Sequence, residues 1–488
     1  MVFSSLRYLL FLAGVLAILA PRYSHARKKL VLCAASCFFY AAWDPRYLGL
    51  LLLISVIDYA CAVRIVRSRQ SRGRRFWVSA SVVSNLAILG YFKYANFFLE
   101  NLNVVLGPWG LTAPSLRVLL PAGISFYTFK SMSYTIDVYR DQIPTTRSQL
   151  DYTMFVTFFP ELIAGPIVRA SVFLPQMDRT IGPTRQRLFE GISLFGQGLA
   201  KKLLVADHVA VVADAVFADP SRFSSFTVWC GLLAYTLQIY CDFSGYSDMA
   251  IGSARMLGYD LPENFNMPYL ATSVTEFWRR WHITLSQWLR DYLYVPLGGN
   301  RKGPARTYAN LMLTMLLGGL WHGASWNFVL WGCLHGVALA LHRALRTSIR
   351  GWQMPDALAR LSTFSFTMFC WIPFRSPNFG TTRLMIMKLL ALEDGGGRWY
   401  PEVLWWSLLL VAAGHFFGMK LQTPAPKTDR FGTLLDIFSI RRMANPISGI
   451  WPVFAMRSIA GCFVAMVMLL SIYFFGAANA SPFIYFQF

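Results

Sequence analysis

A histidine inside a long apolar run is an expensive placement, because an ionisable side chain in a low-dielectric interior gives up its hydration. His322 is such a residue, in LMLTMLLGGLWHGASWNFVLWGCLHG over 311–336. The eleven residues before it are mostly apolar and 324–334 carry no charge. Many buried histidines are hydrogen-bonded core residues, but here Gly318, Gly319 and Gly323 allow close approach and Trp321 stands beside the ring. A neutral imidazole in such a place suits removal of a proton from a hydroxyl. The chain has no Walker loop, dinucleotide glycine fingerprint or GxSxG elbow, so it offers no obvious nucleophile of its own. The hydroxyl would then belong to another molecule. His335, thirteen residues on and nearer the basic end, is expected to serve structure.

Two further stretches place chemistry-bearing residues among apolar ones. In TEFWRRWHITLSQWLRDYLYVPLGGN, 275–300, the tryptophans and arginines fit a membrane interface, where aromatic rings anchor and guanidinium groups reach for water. That pattern leaves His282 unexplained, and a group titrating near neutrality could hold or exchange a proton there. Arg279, Arg280 and Arg290 could face a phosphate or carboxylate. In QIYCDFSGYSDMAIG, 238–252, Asp242 and Asp248 each need a partner or a wet cavity. A buried ion pair with one of the arginines just named is the first expectation for them. Lys93, Tyr94 and Asn96 stand at the outer end of another span.

The elements that position these groups are membrane helices. Residues of the set AVILMFWYC make up 55% of the 488, and charged residues 14%. Soluble domains carry nearly twice that charge, so a soluble enzyme and a nucleic-acid binder are both excluded. The net charge of +21 is the signature of basic cytoplasmic loops. Eight cysteines, none in CxxC, imply neither a disulfide framework nor a metal site, and Cys33 and Cys37 share one helical face as packing residues.

Residues 6–20 read as a first span with the N-terminus outside, because Arg22, Arg27, Lys28 and Lys29 follow the apolar run. Segments 30–42 and 47–63 form a hairpin about Trp43-Asp44-Pro45, a basic loop follows, and 76–98 and 116–136 continue the alternation. Segment 152–168 is interrupted by Pro160, Glu161, Gly165 and Pro166 and reads as a broken or re-entrant helix. Spans follow at 188–217 and 226–258, polar interfacial helices at the cytoplasmic face over 260–306, an apolar hairpin at 308–345, and spans at 358–374, 402–419 and 452–477. The loop 420–451 is basic again. The expectation is an all-α, polytopic membrane protein of about ten to twelve embedded segments, forming one integral membrane domain over 1–488.

At these residues the sequence resembles the membrane-bound O-acyltransferase family, and within it the bacterial alginate O-acetyltransferase branch. The matching stretches are GYFKYANFF (90–98), LPAGISFYTFKSMSYTIDVYR (120–140), FFPELIAGPIVR (158–169), DFSGYSDMAIG (242–252), ENFNMPY (263–269), the two runs holding His282 and His322, and FIYFQF (483–488). They span nearly the whole chain in order.

The resemblance implies a helical ring around a narrow pore, with His322 at its midpoint and His282 assisting. Asn327, Trp321, Asp242, Arg279, Arg280 and Arg290 are then candidates for the pore and the acyl donor. It implies transfer of an acetyl group from a cytoplasmic thioester, with acetyl-CoA as the default, to a hydroxyl on the way to a secreted exopolysaccharide such as alginate or cellulose. No bound cofactor, metal or nucleic acid is implied. The implied surroundings are the lipid of a bacterial inner membrane, periplasmic SGNH-type acetyltransferases and an exopolysaccharide synthase. Two rival readings are a conduit or scaffold that makes no ester bond, and the same chemistry on peptidoglycan or teichoic acid.

Overall fold

The computed structural model of the chain describes residues 2–20, 23–146, 148–178, 183–349, 354–392, 395–422, 440–445, 449–454, 459–477 and 483–484. It divides into two compact units, Met1–Gly191 with Ala250–Pro262, and Ile192–Met249 with Glu263–Phe488.

The first unit holds α1 (Leu6–Leu19), α2 (His25–Ala41), α3 (Pro45–Arg67), α4 (Ser71–Leu89), α5 (Ala95–Leu106), α6 (Ile124–Tyr139), α7 (Gln149–Thr157) and α8 (Ala170–Met177). The expected hairpin about Trp43-Asp44-Pro45 is present for a local reason. Asp44 accepts from the backbone N–H of Arg46 and Pro45 occupies the first helical turn, so α3 starts where its orphan donors are satisfied. Helices α3, α4 and α6 are cross-linked by polar groups inside the apolar interior. Ser81 Oγ donates to Asp58 at 2.6 Å, Asn85 Nδ2 donates to both Asp58 oxygens at 2.9 Å, and Ser81 shares a bond with Thr135 at 2.9 Å. Residues 158–169 leave the helical path, as their prolines and glycine require. Buried Lys130 holds this break by bonding Glu161 and the Phe155 carbonyl, which accounts for two costly charges at depth.

Helix α9 (Arg185–Ala200) leads through a π-helical turn, Lys201–Ala206, into α10 (Asp207–Ala218), and α11 (Ser225–Leu257) follows. Residues 260–306 contain α12 (Val274–Arg280) and α13 (Ile283–Leu289), running into another π-turn at Arg290–Tyr294. The apolar hairpin is α14 (Pro304–His322) and α15 (Trp326–Ser348). Then come α16 (Asp356–Arg375), α17 (Phe379–Leu389), α18 (Glu402–Gln422) and α19 (Ile459–Phe475). Among the described residues, a departure from a purely helical chain is the antiparallel pair β1 (Ile440–Asn445) and β2 (Gly449–Phe454), with Ile440 opposite Phe454; β2 takes the first residues of the span expected at 452–477, whose helix begins at Ile459.

Among the described residues, four helical stretches are long and apolar enough to cross a bilayer: Pro45–Arg67, Ser71–Trp109, Trp326–Ser348 and Glu402–Met419. Two shorter apolar helices are Leu6–Leu19 and Met466–Phe475. Exposed Leu53, Val56, Phe76 and Val83 give α3 and α4 outer faces fit for hydrocarbon contact.

Candidate active site

Helix α14 stops at His322 because Gly323 turns extended (φ −158°, ψ 150°). The imidazole therefore stands at the tip of the α14–α15 hairpin and not in the middle of a continuous apolar segment. A Cβ on Gly319 would strike the Phe328 carbonyl, and one on Gly323 would strike the Phe328 ring. The close approach that these glycines permit is thus made by α15, and it sets the position of the His322 backbone. The His322 ring is 4% exposed and boxed by aromatic edges, with centroids 5.0 Å from Trp321, 5.0 Å from Trp331 and 5.3 Å from Phe374.

His282 is fully buried, with its ring centroid 6.5 Å from that of His322. Trp321 touches both imidazoles, at 6.0 Å from His282. The His282 backbone is left-handed (φ 41°, ψ 54°) at the start of α13, a conformation that costs a non-glycine residue about 1–3 kcal/mol. Asn264 holds it there. Its backbone carbonyl accepts from Ile283 N at 3.0 Å, and its Oδ1 accepts from Thr284 Oγ at 2.9 Å and Thr284 N at 3.3 Å. The same Oδ1 lies 3.1 Å from His282 Nδ1, while Asn264 Nδ2 donates to Ser247 Oγ at 3.2 Å. With Oδ1 assigned as acceptor by this network, His282 carries its proton on Nδ1 and presents Nε2 as the accepting nitrogen. Phe243 caps the ring edge-on at 4.7 Å.

The remaining expected residues fall in different places. Asn327 is buried, but its Nδ2 donates to the Ser376 carbonyl at 2.8 Å and its Oδ1 accepts from Thr382 at 3.3 Å, so it ties α15 to α17 and the residue following α16. Asp242 is a buried ion-pair residue, as expected, with a different partner. Lys202 Nζ bridges Asp242 and Asp207, each at 2.8 Å. Lys201 takes Asp248 at 2.6 Å. Both lysines come from the π-turn, whose extra residue per turn re-aims side chains. The second oxygen of Asp242 accepts from Ile484 N at 2.7 Å, and the Phe483 ring lies 5.8 Å from Phe243.

In α12 and the turn after α13, Arg279 is exposed, Arg280 pairs with Glu276 at 2.8 Å and with the Asn266 carbonyl, and Arg290 pairs with Asp291 at 2.6 Å. Burial works to raise the Glu276 carboxyl, but donation from Thr272 and Arg280 outweighs it and holds the group below its ordinary range. Sequence reading missed Asn264, Lys202, Asp207 and Trp331 as members of this neighbourhood. The one signal for Asn264 was its place in the polar stretch ENFNMPY, 263–269.

Comparison with known proteins bears on the family of the chain. The profile of the membrane-bound O-acyltransferase family matches residues 37–375. A probable alginate O-acetylase of Azotobacter vinelandii is 45% identical over 405 residues, 81% of this chain and 79% of its own. One from Pseudomonas putida is 40% identical over an alignment spanning the whole of both chains. A peptidoglycan O-acetyltransferase of Helicobacter pylori is 41% identical over 393 residues, 75% of this chain and 74% of its own.

Proposed function

The chain belongs to the membrane-bound O-acyltransferase family, and from that premise we propose that it transfers an acetyl group from a cytoplasmic thioester, acetyl-CoA by default, to a hydroxyl bound for a secreted exopolysaccharide. The observation that carries the reading is the pair of buried imidazoles 6.5 Å apart, one of them fixed in tautomer and backbone by Asn264. His322 removes the acceptor's proton, and the resulting alkoxide attacks the thioester carbonyl. The tetrahedral oxyanion needs a donor. The Asn327 amide is committed to Ser376, and neutral His282 carries its proton towards Asn264. The indole N–H of Trp331 is buried, has no hydrogen-bond partner among the described residues and lies beside the His322 ring, so it takes that role. Collapse expels the thiolate, which recovers the proton from the His322 imidazolium. His282 accepts through Nε2 and supports the proton's position.

In this reading about ten to twelve segments embed in a bacterial inner membrane, with the N-terminus periplasmic and exposed Arg279 drawing an anionic donor, while Arg280 and Arg290 are held by Glu276 and Asp291. The acceptor hydroxyl arrives from the outside, and periplasmic acetyltransferases of SGNH type complete transfer to polymer. Alginate is the first choice because relatives matching across the whole chain carry that name. Peptidoglycan is the second, favoured by the Helicobacter pylori relative.

Mass spectrometry of secreted polymer and of peptidoglycan, from cells with and without the gene, tests the assignment. Loss of acetyl groups from the exopolysaccharide, restored by wild type and not by His322→Ala, is the expected result. Loss from peptidoglycan alone selects the second acceptor, and loss from neither refutes both.

A further inference from the structure

Asp58 stands in the middle of α3, a stretch long and apolar enough to cross a bilayer. At 1.5 Å per residue it lies about 20 Å from Pro45 and about 14 Å from Arg67. It is fully buried. A carboxylate at such a depth calls for a compensating charge. Its bonding partners on α4 are all neutral: Ser81 Oγ at 2.6 Å, and Asn85 Nδ2 at 2.9 Å from each oxygen. These donors orient the carboxylate and suit its ionised form, but they bring no positive charge. Elsewhere in the same unit Lys130 covers Glu161 and Lys29 covers Asp151. Among the described residues no Lys, Arg or His pairs with Asp58.

Two more oxygens close on the same place from α6 and α7. Ser131 Oγ faces both the Asp58 carboxylate and the Tyr152 hydroxyl. The Tyr152 ring lies 6.3 Å from that of Tyr59, the neighbour of Asp58 in the chain. Ser131 and Tyr152 are fully buried, and neither hydroxyl has a hydrogen-bond partner among the described residues. Native interiors seldom strand hydroxyls in this way. Each has lone pairs to give, and Asp58 Oδ2 has spare capacity beyond its bond from Asn85. Carboxylate and hydroxyl oxygens are ligands for hard cations. A single carboxylate balances one positive charge, whereas a divalent ion would leave a buried surplus.

We propose that Asp58, Ser131 and Tyr152 form a site for a monovalent cation, sodium, which ties α3, α6 and α7 together. The ion meets Asp58 Oδ2, Ser131 Oγ and Tyr152 Oη, while Ser81 and Asn85 hold the carboxylate from α4. Oxygens brought together by close-packed helices suit sodium better than the larger potassium ion. The site lies within the first unit and shares no residue with those assigned to acetyl transfer.

The test titrates the full-length protein in phospholipid nanodiscs with sodium chloride against choline chloride at constant ionic strength. Unfolding temperature and binding of radiolabelled sodium are the readouts. Wild type should bind about one ion per chain and unfold at a temperature that rises with sodium and then saturates. Asp58→Asn keeps the shape and removes the charge, so binding and rise should both disappear. Ser131→Ala and Tyr152→Phe keep the carboxylate and should raise the half-saturating sodium concentration at least about tenfold, and they decide the matter if Asp58→Asn does not fold. Potassium should need at least about tenfold more than sodium for the same rise. An unfolding temperature of wild type that is equal in sodium and choline overturns the proposal. So does sodium binding retained in Asp58→Asn, half-saturation unmoved in both hydroxyl variants, or potassium as potent as sodium.

Discussion

Asn264 offers the sharpest structural perturbation, because one side-chain oxygen both caps α13 and sets the His282 tautomer. Asn264→Leu keeps the branched shape and removes every bond that this oxygen accepts, from Thr284 N, Thr284 Oγ and His282 Nδ1. Loss of a helix cap costs about 1 kcal/mol. A buried N–H left without an acceptor costs about 1–3 kcal/mol more. Destabilisation of about 2–4 kcal/mol follows, an upper range because the Ile283 bond to the Asn264 backbone carbonyl survives. His282 also loses the preference for Nδ1–H, and about 1–3 kcal/mol of misplacement converts to roughly a 5- to 150-fold fall in turnover. Ser247→Ala is the control, since it removes the Nδ2 contact alone and should leave turnover within a few fold. Thermal unfolding in detergent and initial rates of acetyl transfer in proteoliposomes are the assays. Wild-type turnover and wild-type unfolding temperature in Asn264→Leu would refute the reasoning.

Trp331→Phe keeps an aromatic wall against His322 and deletes the indole N–H, so kcat should fall about 10²- to 10³-fold with CoA binding retained. A fall in binding with kcat unchanged would remove Trp331 from the oxyanion role. Lys202→Met strands Asp207 and Asp242, both buried, and should destabilise by about 3–5 kcal/mol, with Asp207→Asn and Asp242→Asn added to it recovering much of the loss. Unfolding temperatures of the single and triple variants decide it. Glu276 has a depressed folded value, so its contribution is whole above the unfolded value of 4.5 and is lost as pH falls through the folded one. Wild type and Glu276→Gln should differ in unfolding temperature at neutral pH and converge in acid, and a constant gap would contradict that.

What could be read in the sequence follows its local contrasts. A histidine after eleven largely apolar residues, a break written as Pro160 and Gly165, and helices bounded by basic loops are all local signals, and α1 to α6 and the α14–α15 hairpin answer to them. The partners were not legible, because they lie far apart in the chain. Asn264 and His282 are separated by 18 residues, across the left-handed backbone at His282. Lys202 and Asp242 meet across about forty residues only because a π-turn aims the lysine inward. The expected partner of Asp242 was one of Arg279, Arg280 and Arg290, since nothing in a hydropathy pattern marks Lys202 as buried. The hairpin tip was equally hidden, as Gly323 could continue a helix and here leaves it because Phe328 occupies the space beside it.

His322 as general base is the claim beneath the mechanism, and single-turnover transfer from bound radiolabelled acetyl-CoA to the acceptor tests it most directly. His322→Gln in the full-length protein should bind CoA as tightly as wild type, unfold at the same temperature and transfer acetyl at least about 10²-fold more slowly. Transfer within a few fold of wild type would contradict the account and leave the two imidazoles as packing residues.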